Sequence, residues 1–323
     1  MTTLYVKEQG ALVRRTGERL LVTKEKEVLE DIPILHVDQV VVMGNVQLTT
    51  PAVALLLQKD VDVVFLSSRG RFRGRLVTTG SRFAVLRHAQ LRLLNDEVAT
   101  LAIAKAVVEG KLANQAALLQ QQGQSEQPGD AGVLRQGAVL IGRAQQQARR
   151  TTDVDTLRGY EGAAGAAYFG ALKTLIPQDW GFAKRIYHPP PDPVNALLSL
   201  GYTLLLKDMT AAVQLVGLDP YLGFFHVMDY GRPSLTLDLV EPFRPLVDAM
   251  VLRVIANNAI TRNDFEAEER NGQPGVVLND AALQRYLKDY EALMNARVLY
   301  PGTSSYTPHR RCLELQAREV AQV

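Results

Sequence analysis

The chain has 323 residues, of which 47% are hydrophobic, and a formal net charge of +2 at pH 7. This length allows one large or two modest packed domains, and a charge so near zero says nothing about partners. A single cysteine, Cys312, excludes an internal disulfide, and no window approaches the roughly 20 apolar residues of a membrane span, so we expect a soluble protein in the reducing cytoplasm.

Residues 1–84 are predicted to form a small β-sandwich-like domain. Short alternating apolar runs, separated by glycines and a proline, predict strands. The predicted strands cover residues 4–6, 11–14, 19–23, 34–36 and 39–42, and a helix over 50–58 and a strand over 61–66 follow them.

A run of arginines follows that strand. Arg69, Arg71, Arg73 and Arg75 alternate along a predicted hairpin, so they should share one face. No acidic residue occurs between residues 63 and 95. Like charges at this density repel one another, so they are usually solvated or matched to an anion.

From residue 85 to 323 the sequence predicts a larger all-α domain. The apolar spacing predicts helices over residues 86–119, 138–151, 154–175, 193–215, 234–258 and 280–294, with a polar loop at 120–132. Asp192 and Pro193 are typical of an N-cap and a first helical position. The predicted fold class is therefore α+β, with two domains.

Four polar residues in otherwise apolar or small-residue segments are candidates for chemistry. Asp238 and Glu241 are three residues apart and would share a helix face, and a turn sequence at 230–233 allows His226 to fold back beside them. Glu161 lies among glycines and alanines, where a buried carboxylate needs a cation. Carboxylates with one imidazole form an oxygen-rich site that suits Mg²⁺ or Mn²⁺.

Each of these features also has a structural explanation. The Asp238–Glu241 pair is equally typical of a solvated helix face, and a lone histidine after two phenylalanines is typical of a hydrogen-bonded core residue. An acid in an Ala/Gly helix can simply face water. The spacing alone therefore does not decide between a metal site and ordinary structural positions.

Four ordered blocks resemble the CRISPR-associated integrase family, the first-numbered Cas proteins, which are the catalytic subunits of spacer acquisition. The blocks are YEGAAGAAYF (160–169), PPPDPVNALLSLGYTLL (189–205), GLDPYLGFFH (217–226) and RPSLTLDLVEPFRPLVD (232–248), with a weaker TRNDF at 261–265. They cover most of the predicted helical domain, and the β domain before it fits the family's layout.

The resemblance implies a divalent metal, Mg²⁺ or Mn²⁺, held by Glu161, His226 and Glu241, with Asp238 as an auxiliary acid. Sequence leaves His226 as either a ligand or a proton carrier, and the family favours a ligand. The implied reaction joins a 3′-hydroxyl of a short DNA duplex to a phosphodiester of a CRISPR repeat. The family also runs the reverse reaction and acts as a metal-dependent nuclease.

The resemblance further implies partners: double-stranded and branched DNA, a second copy of the chain, and the small ferredoxin-like second-numbered Cas protein. Candidate DNA contacts near the matched blocks are Arg158, Lys184, Arg185, Arg232 and Arg244. Because the family's β domain contributes to the dimer, the arginine run at 69–75 is either a track for the DNA backbone, which we favour, or a polar dimer rim.

Two other function classes remain open from sequence. One is a non-catalytic DNA-binding scaffold whose acids cap helices, and its DNA binding would be indifferent to EDTA. The other is a metal-dependent hydrolase of RNA or small phosphoesters, which a panel of DNA and RNA substrates would separate. The C-terminal segment from residue 300 has no family landmark and receives no predicted role.

Overall fold

The structure is a computed structural model that describes residues 3–25, 27–68, 72–76, 83–124, 128–187, 189–270, 273–302 and 304–323. The chain divides into two compact units, Met1–Arg82 and Phe83–Val323. The first is rich in strands and the second in helices, so the predicted α+β class is confirmed.

Within its described residues, the N-terminal unit contains two four-stranded sheets and one α-helix. Its elements are β1 (Thr3–Val6), β2 (Leu12–Thr16), β3 (Arg19–Lys24), β4 (Glu27–Pro33), β5 (Gln39–Met43), β6 (Gln47–Leu48), α1 (Thr50–Gln58), β7 (Asp62–Leu66) and β8 (Phe72–Leu76). The sheet orders are β1-β5-β7-β8 and β4-β3-β2-β6. Apolar side chains from both sheets and from α1 pack into one core, which buries the apolar face of each sheet.

Two predictions for this unit were wrong. Residues 34–36 form a 3₁₀ turn, in which Val37 N–H donates to Ile34 O at 3.0 Å, rather than a strand. Strand β4, which precedes this turn, was not predicted from the sequence. Its residues are exposed or half-buried, so they show little of the apolar alternation that marks a strand.

The second unit contains nine helices within the described residues. They are α2 (Ala84–Leu94), α3 (Glu97–Gln122), α4 (Pro128–Arg150), α5 (Val154–Leu172), α6 (Pro193–Val216), α7 (Ser234–Val240), α8 (Arg244–Ala256), α9 (Asp280–Asn295) and α10 (His309–Val320). Two antiparallel hairpins also occur, β9 (Phe265–Arg270) with β10 (Gln273–Leu278) and β11 (Arg297–Tyr300) with β12 (Ser305–Pro308). The unit is therefore mainly helical but not all-α as predicted.

Two helices predicted as continuous are interrupted. The 86–119 prediction breaks before Asp96, whose carboxylate caps α3 by accepting from Val98 N and Ala99 N at 3.0 Å each. The 234–258 prediction breaks into α7, a 3₁₀ turn over Glu241–Phe243, and α8. Pro242 and Pro245 lack the N–H groups that a continuous helix needs there.

Helix α6 runs through the centre of the second unit. Asp192 caps it by accepting from Asn195 N at 2.9 Å, and Pro193 is its first residue, so the predicted helix start is confirmed. Among the described residues, α6 is the one helix whose length and composition would suffice to cross a membrane, and 67% of its most apolar window is buried inside the protein. That burial is typical of a core helix.

Candidate metal centre

Four side chains from four parts of the helical unit meet at one place. Glu161 lies on α5, Glu241 begins the turn between α7 and α8, and His226 lies in the loop between α6 and α7. Lys111 on α3 connects them, because its Nζ forms ion pairs with Glu161 Oε1 and, at 2.6 Å, with Glu241 Oε2. His226 Nε2 lies 3.8 Å from Glu241 Oε1.

Asp238 is fully buried on α7 and fixes the loop that carries His226. Its Oδ2 accepts from the backbone N–H groups of Phe224 at 2.6 Å and Phe225 at 3.0 Å. Its Oδ1 accepts from His226 N at 2.8 Å and lies 2.7 Å from His226 Nδ1. With the proton on Nδ1, His226 directs the lone pair of Nε2 toward the carboxylate of Glu241.

Glu241 is the most enclosed of the three predicted ligands, with a side chain 5% exposed. Burial alone would raise its pKa, but Arg244 and Lys111 outweigh that effect, so the pKa of Glu241 lies below its usual value. For Lys111, burial alone would lower the pKa, because it disfavours the charged ammonium. The carboxylates of Glu241 and Glu161 outweigh that effect, so the pKa of Lys111 lies above its usual value. The cluster is therefore charged, with carboxylates facing an ammonium and a guanidinium.

The carboxylates of Glu161 and Glu241 and the imidazole of His226 are ligands that suit a hard divalent cation, although in this structure the Lys111 ammonium lies between the two carboxylates. Within the described residues, no three His, Cys, Asp or Glu side chains are grouped tightly enough to hold a metal ion. Glu241 Oε2 is nevertheless buried without a well-aligned hydrogen-bond donor, even though Lys111 Nζ is close. Two carboxylates and one imidazole nitrogen match the ligand preference of Mg²⁺ and Mn²⁺.

A second layer of buried polar residues supports Glu241. Arg244 Nε lies 3.1 Å from Glu241 Oε1, and its guanidinium carbon lies 4.7 Å from the centre of the Tyr202 ring. Tyr202 and Tyr168 both donate to the carboxylate of Asp248, the latter at 2.7 Å. Burial raises the pKa of Asp248 to about 6, against the opposing effect of these hydrogen bonds.

The basic residues predicted to contact DNA have different surroundings in the helical unit. Arg158 donates from Nε and Nη2 to Phe225 O, at 3.1 and 2.6 Å, and so holds the chain just before His226. Arg185 donates to Asn195 Oδ1 at 2.9 Å, and Arg244 pairs with Glu241. Lys184 and Arg232 are exposed. Three of these five residues thus already have partners within the protein.

The predicted arginine track falls partly outside the described residues, which omit Arg69 and Arg71. Strand β8 carries the other two and pairs antiparallel with β7, where a bulge leaves Arg73 without a partner in the register. Arg73 is exposed, whereas Arg75 pairs with Asp62 and is 11% exposed. Because the bulge interrupts the alternation, the described arginines do not share one exposed face.

Sequence reasoning missed Lys111. Its two partners are distant along the chain, and no local motif distinguishes it from a surface lysine. The one available signal is its position on α3 beside the apolar residues Val107, Val108 and Leu112, all of which are buried. A lysine on such a helix face requires a carboxylate partner.

The family follows from comparison with known proteins. The family model described as CRISPR associated protein Cas1 matches residues 4–292. The chain belongs to the Cas1 family. The CRISPR-associated endonuclease Cas1 3 of Thermus thermophilus is 35% identical over 98% of this chain and 91% of that protein. The CRISPR-associated endonuclease Cas1 1 of Moorella thermoacetica is 34% identical over 100% and 95%, respectively.

Solved structures agree with this assignment. A chain of a Cas6-RT-Cas1–Cas2 complex matches with a TM-score of 0.84 and 25% identity, over 99% of this chain and 34% of that one. A casposase bound to integration product has a TM-score of 0.85 at 23% identity, over 100% and 90%, and shows the shared fold. The Cas1 family and the nuclease class predicted from the four sequence blocks are confirmed.

Proposed function

We propose that this Cas1 protein is a divalent-metal-dependent DNA endonuclease and integrase that inserts short DNA fragments into a CRISPR array. The observation that carries the proposal is that Glu161 and Glu241 both contact the ammonium of Lys111, while His226 Nε2 lies 3.8 Å from Glu241 Oε1. Three donors from distant parts of the chain do not meet in this way on a solvated helix face.

Glu161, His226 and Glu241 would hold the metal, with Mg²⁺ or Mn²⁺ as the expected ion. When bound, such an ion polarises a phosphoryl oxygen and favours deprotonation of an attacking hydroxyl. Asp238 serves as a positioning residue, because it holds both the backbone and the ring of His226. Arg158 supports the same loop from the other side through Phe225 O.

The substrates proposed from family membership are duplex and branched DNA. The attacking group is the 3′-hydroxyl of a short duplex, the bond formed is a new phosphodiester to the CRISPR repeat, and the bond broken is the repeat's own phosphodiester. Among the described basic residues that were predicted to contact DNA, the side chains of Lys184, Arg232 and Arg73 are exposed and so are the most accessible to a DNA phosphate. Replacing any one of these three with alanine should weaken DNA binding regardless of sequence and lower the salt slope by about one.

The proposed assembly is a homodimer together with Cas2. A structural neighbour is a Cas6-RT-Cas1–Cas2 complex, which supports a Cas2 partner for this chain. The N-terminal unit would contribute to the homodimer, and the cytoplasm, with its reducing conditions, is the expected compartment. The free Cys312 is buried and suits that setting.

The test is a strand-transfer assay with a labelled 3′-hydroxyl duplex, a repeat-bearing plasmid and Mn²⁺, run with and without Cas2. We expect Glu161→Gln, His226→Asn and Glu241→Gln each to lower the yield by about 100-fold or more. Glu109→Gln is the matched control, because Glu109 is a half-buried carboxylate of the same unit that pairs with the exposed Arg149. Full strand transfer by Glu241→Gln, or product formation in EDTA, would contradict the proposal.

A further inference from the structure

We propose that Lys111 is an internal competitor for the divalent metal. Its ammonium occupies the space between the Glu161 and Glu241 carboxylates, and metal loading requires the side chain to leave that space. The inference rests on the proposed metal site. It adds that the empty and loaded states differ by the displacement of one lysine side chain, so the strength of metal binding depends on Lys111.

The backbone of Lys111 is held firmly against the turn that carries Glu241. Asn114, one helical turn further along α3, donates from Nδ2 to Pro242 O at 2.7 Å. On the other side, a Cβ placed on Gly110 would lie 3.3 Å from Pro242 Cγ, so the helix approaches the turn closely there. Because the backbone is fixed at both points, displacement must come from rotation of the flexible lysine side chain.

Charge and burial explain why the lysine and the metal exclude each other. The Lys111 side chain is 12% exposed, and both of its partners are carboxylates that would otherwise repel each other. A divalent ion that contacts the same two carboxylates would lie within a few ångströms of Nζ, where like charges repel strongly in a partly buried site. The metal therefore has to replace the contacts of Lys111, and part of its binding free energy is spent on that exchange.

The experiment measures Mn²⁺ binding by isothermal titration calorimetry on the full chain without DNA. We expect Lys111→Gln to bind Mn²⁺ about tenfold or more tightly than the wild type, because the competing charge is gone. Lys105→Gln is the matched control, since Lys105 lies on the same helix but donates to Arg149 O near the surface. Its Mn²⁺ affinity should equal that of the wild type.

Unchanged or weaker Mn²⁺ binding by Lys111→Gln would overturn the inference, because it would mean that the lysine merely holds the carboxylates in position. Should that variant fail to fold, a crystal structure of the wild type soaked with Mn²⁺ decides. Nζ must have left the space between the two carboxylates, and a lysine still bridging both in the loaded site refutes the competition. If Glu241→Gln binds Mn²⁺ as well as the wild type does, the metal site itself is wrong.

Discussion

At the scale of single residues, Asp238 shows how one carboxylate can organise a site without touching substrate. It accepts from three consecutive backbone N–H groups and faces the His226 ring. All of these groups belong to the loop after α6. The orientation of His226 Nε2 therefore depends on a buried acid rather than on the histidine's own rotamer preference.

Asp238→Asn should damage both the fold and the metal site. In the wild type, both carboxylate oxygens of Asp238 accept from backbone N–H groups. In the variant, the asparagine NH₂ group replaces one of these oxygens and cannot accept, so buried N–H groups lose their partner. We expect Mn²⁺ affinity to fall by about 10- to 100-fold and the melting temperature to drop. Calorimetry and thermal denaturation measure the two effects. Asp229→Asn is the control, because Asp229 lies in the same loop but is exposed, and wild-type Mn²⁺ affinity in Asp238→Asn would contradict this role.

Asp248 should give the protein a pH-dependent stability. Its pKa of about 6 in the folded state exceeds the usual value of 3.8. The folded chain therefore retains a proton that the unfolded chain loses, and the free energy of unfolding falls as pH rises between those values. The loss in the free energy of unfolding reaches about 3 kcal/mol once the pH exceeds the pKa of the folded chain. Below the pKa of the unfolded chain there is no loss, because Asp248 is protonated in both states.

Urea unfolding of the wild type and of Asp248→Asn between about pH 4 and pH 8 tests this assignment. The wild type should lose stability relative to the variant up to about pH 6 and level off above about pH 7. Asp130→Asn, at an exposed position, should give no such trend. A constant difference between wild type and Asp248→Asn across the range would show that Asp248 does not titrate there.

The sequence predicted that Glu161, His226, Asp238 and Glu241 form a site because each lies in a contiguous block that resembles the family, and the structure places them near one another. It did not predict Lys111, and it assigned Arg158 to DNA although that side chain donates to Phe225 O. Both residues have partners far away in the sequence. Such pairings arise from the packing of helices on one another, which spacing within a single segment does not encode.

At the scale of elements, the breaks in the chain matter more for the site than the helices themselves. The cap signal of Asp192 and Pro193 predicted the α6 start correctly. Apolar periodicity ran through the break at Glu241, because apolar residues continue on both sides of it. Pro242 and Pro245 were the available signals. The missed β9–β10 hairpin carries charged and polar residues through β9, so its alternation was weak.

The C-terminal helix α10, for which the sequence predicted no role, is anchored by a buried arginine. Arg310 donates to Asp208 Oδ2 at 3.2 Å and to Glu291 Oε1 at 2.7 Å, and its side chain is 8% exposed. Asp208 lies on α6 and Glu291 on α9. One guanidinium thus joins three helices through charge-assisted hydrogen bonds.

Arg310→Leu should lower the free energy of unfolding by about 3 kcal/mol or more, because it leaves the buried Asp208 carboxylate and the half-buried Glu291 carboxylate without this partner. Urea denaturation followed by circular dichroism measures the decrease. Arg318→Leu on the same helix is the control, since Arg318 is 49% exposed and its buried partner Glu314 keeps Arg311 as a second partner, so the loss should be less than about 1 kcal/mol. Equal decreases in the two variants would mean that the buried pair has no special role.

At the scale of the whole molecule, the proposed metal site lies in one of the two units. Lys111, Glu161, His226, Asp238 and Glu241 all lie within Phe83–Val323, which has its own buried core. The N-terminal unit has a separate core built from two sheets and α1. Metal binding and assembly should therefore be separable by dividing the chain.

Residues 83–323 expressed alone should fold and bind Mn²⁺ with an affinity within about twofold of the full chain, because every residue of the proposed site belongs to this unit and residues that share no contacts contribute almost independently. The same fragment should lose strand transfer with Cas2, since the N-terminal unit is the proposed contributor to the homodimer. Circular dichroism, calorimetry and the plasmid assay measure the three properties. A folded fragment that cannot bind Mn²⁺ would place part of the metal site outside the helical unit, whereas full strand transfer would remove the assembly role from the N-terminal one.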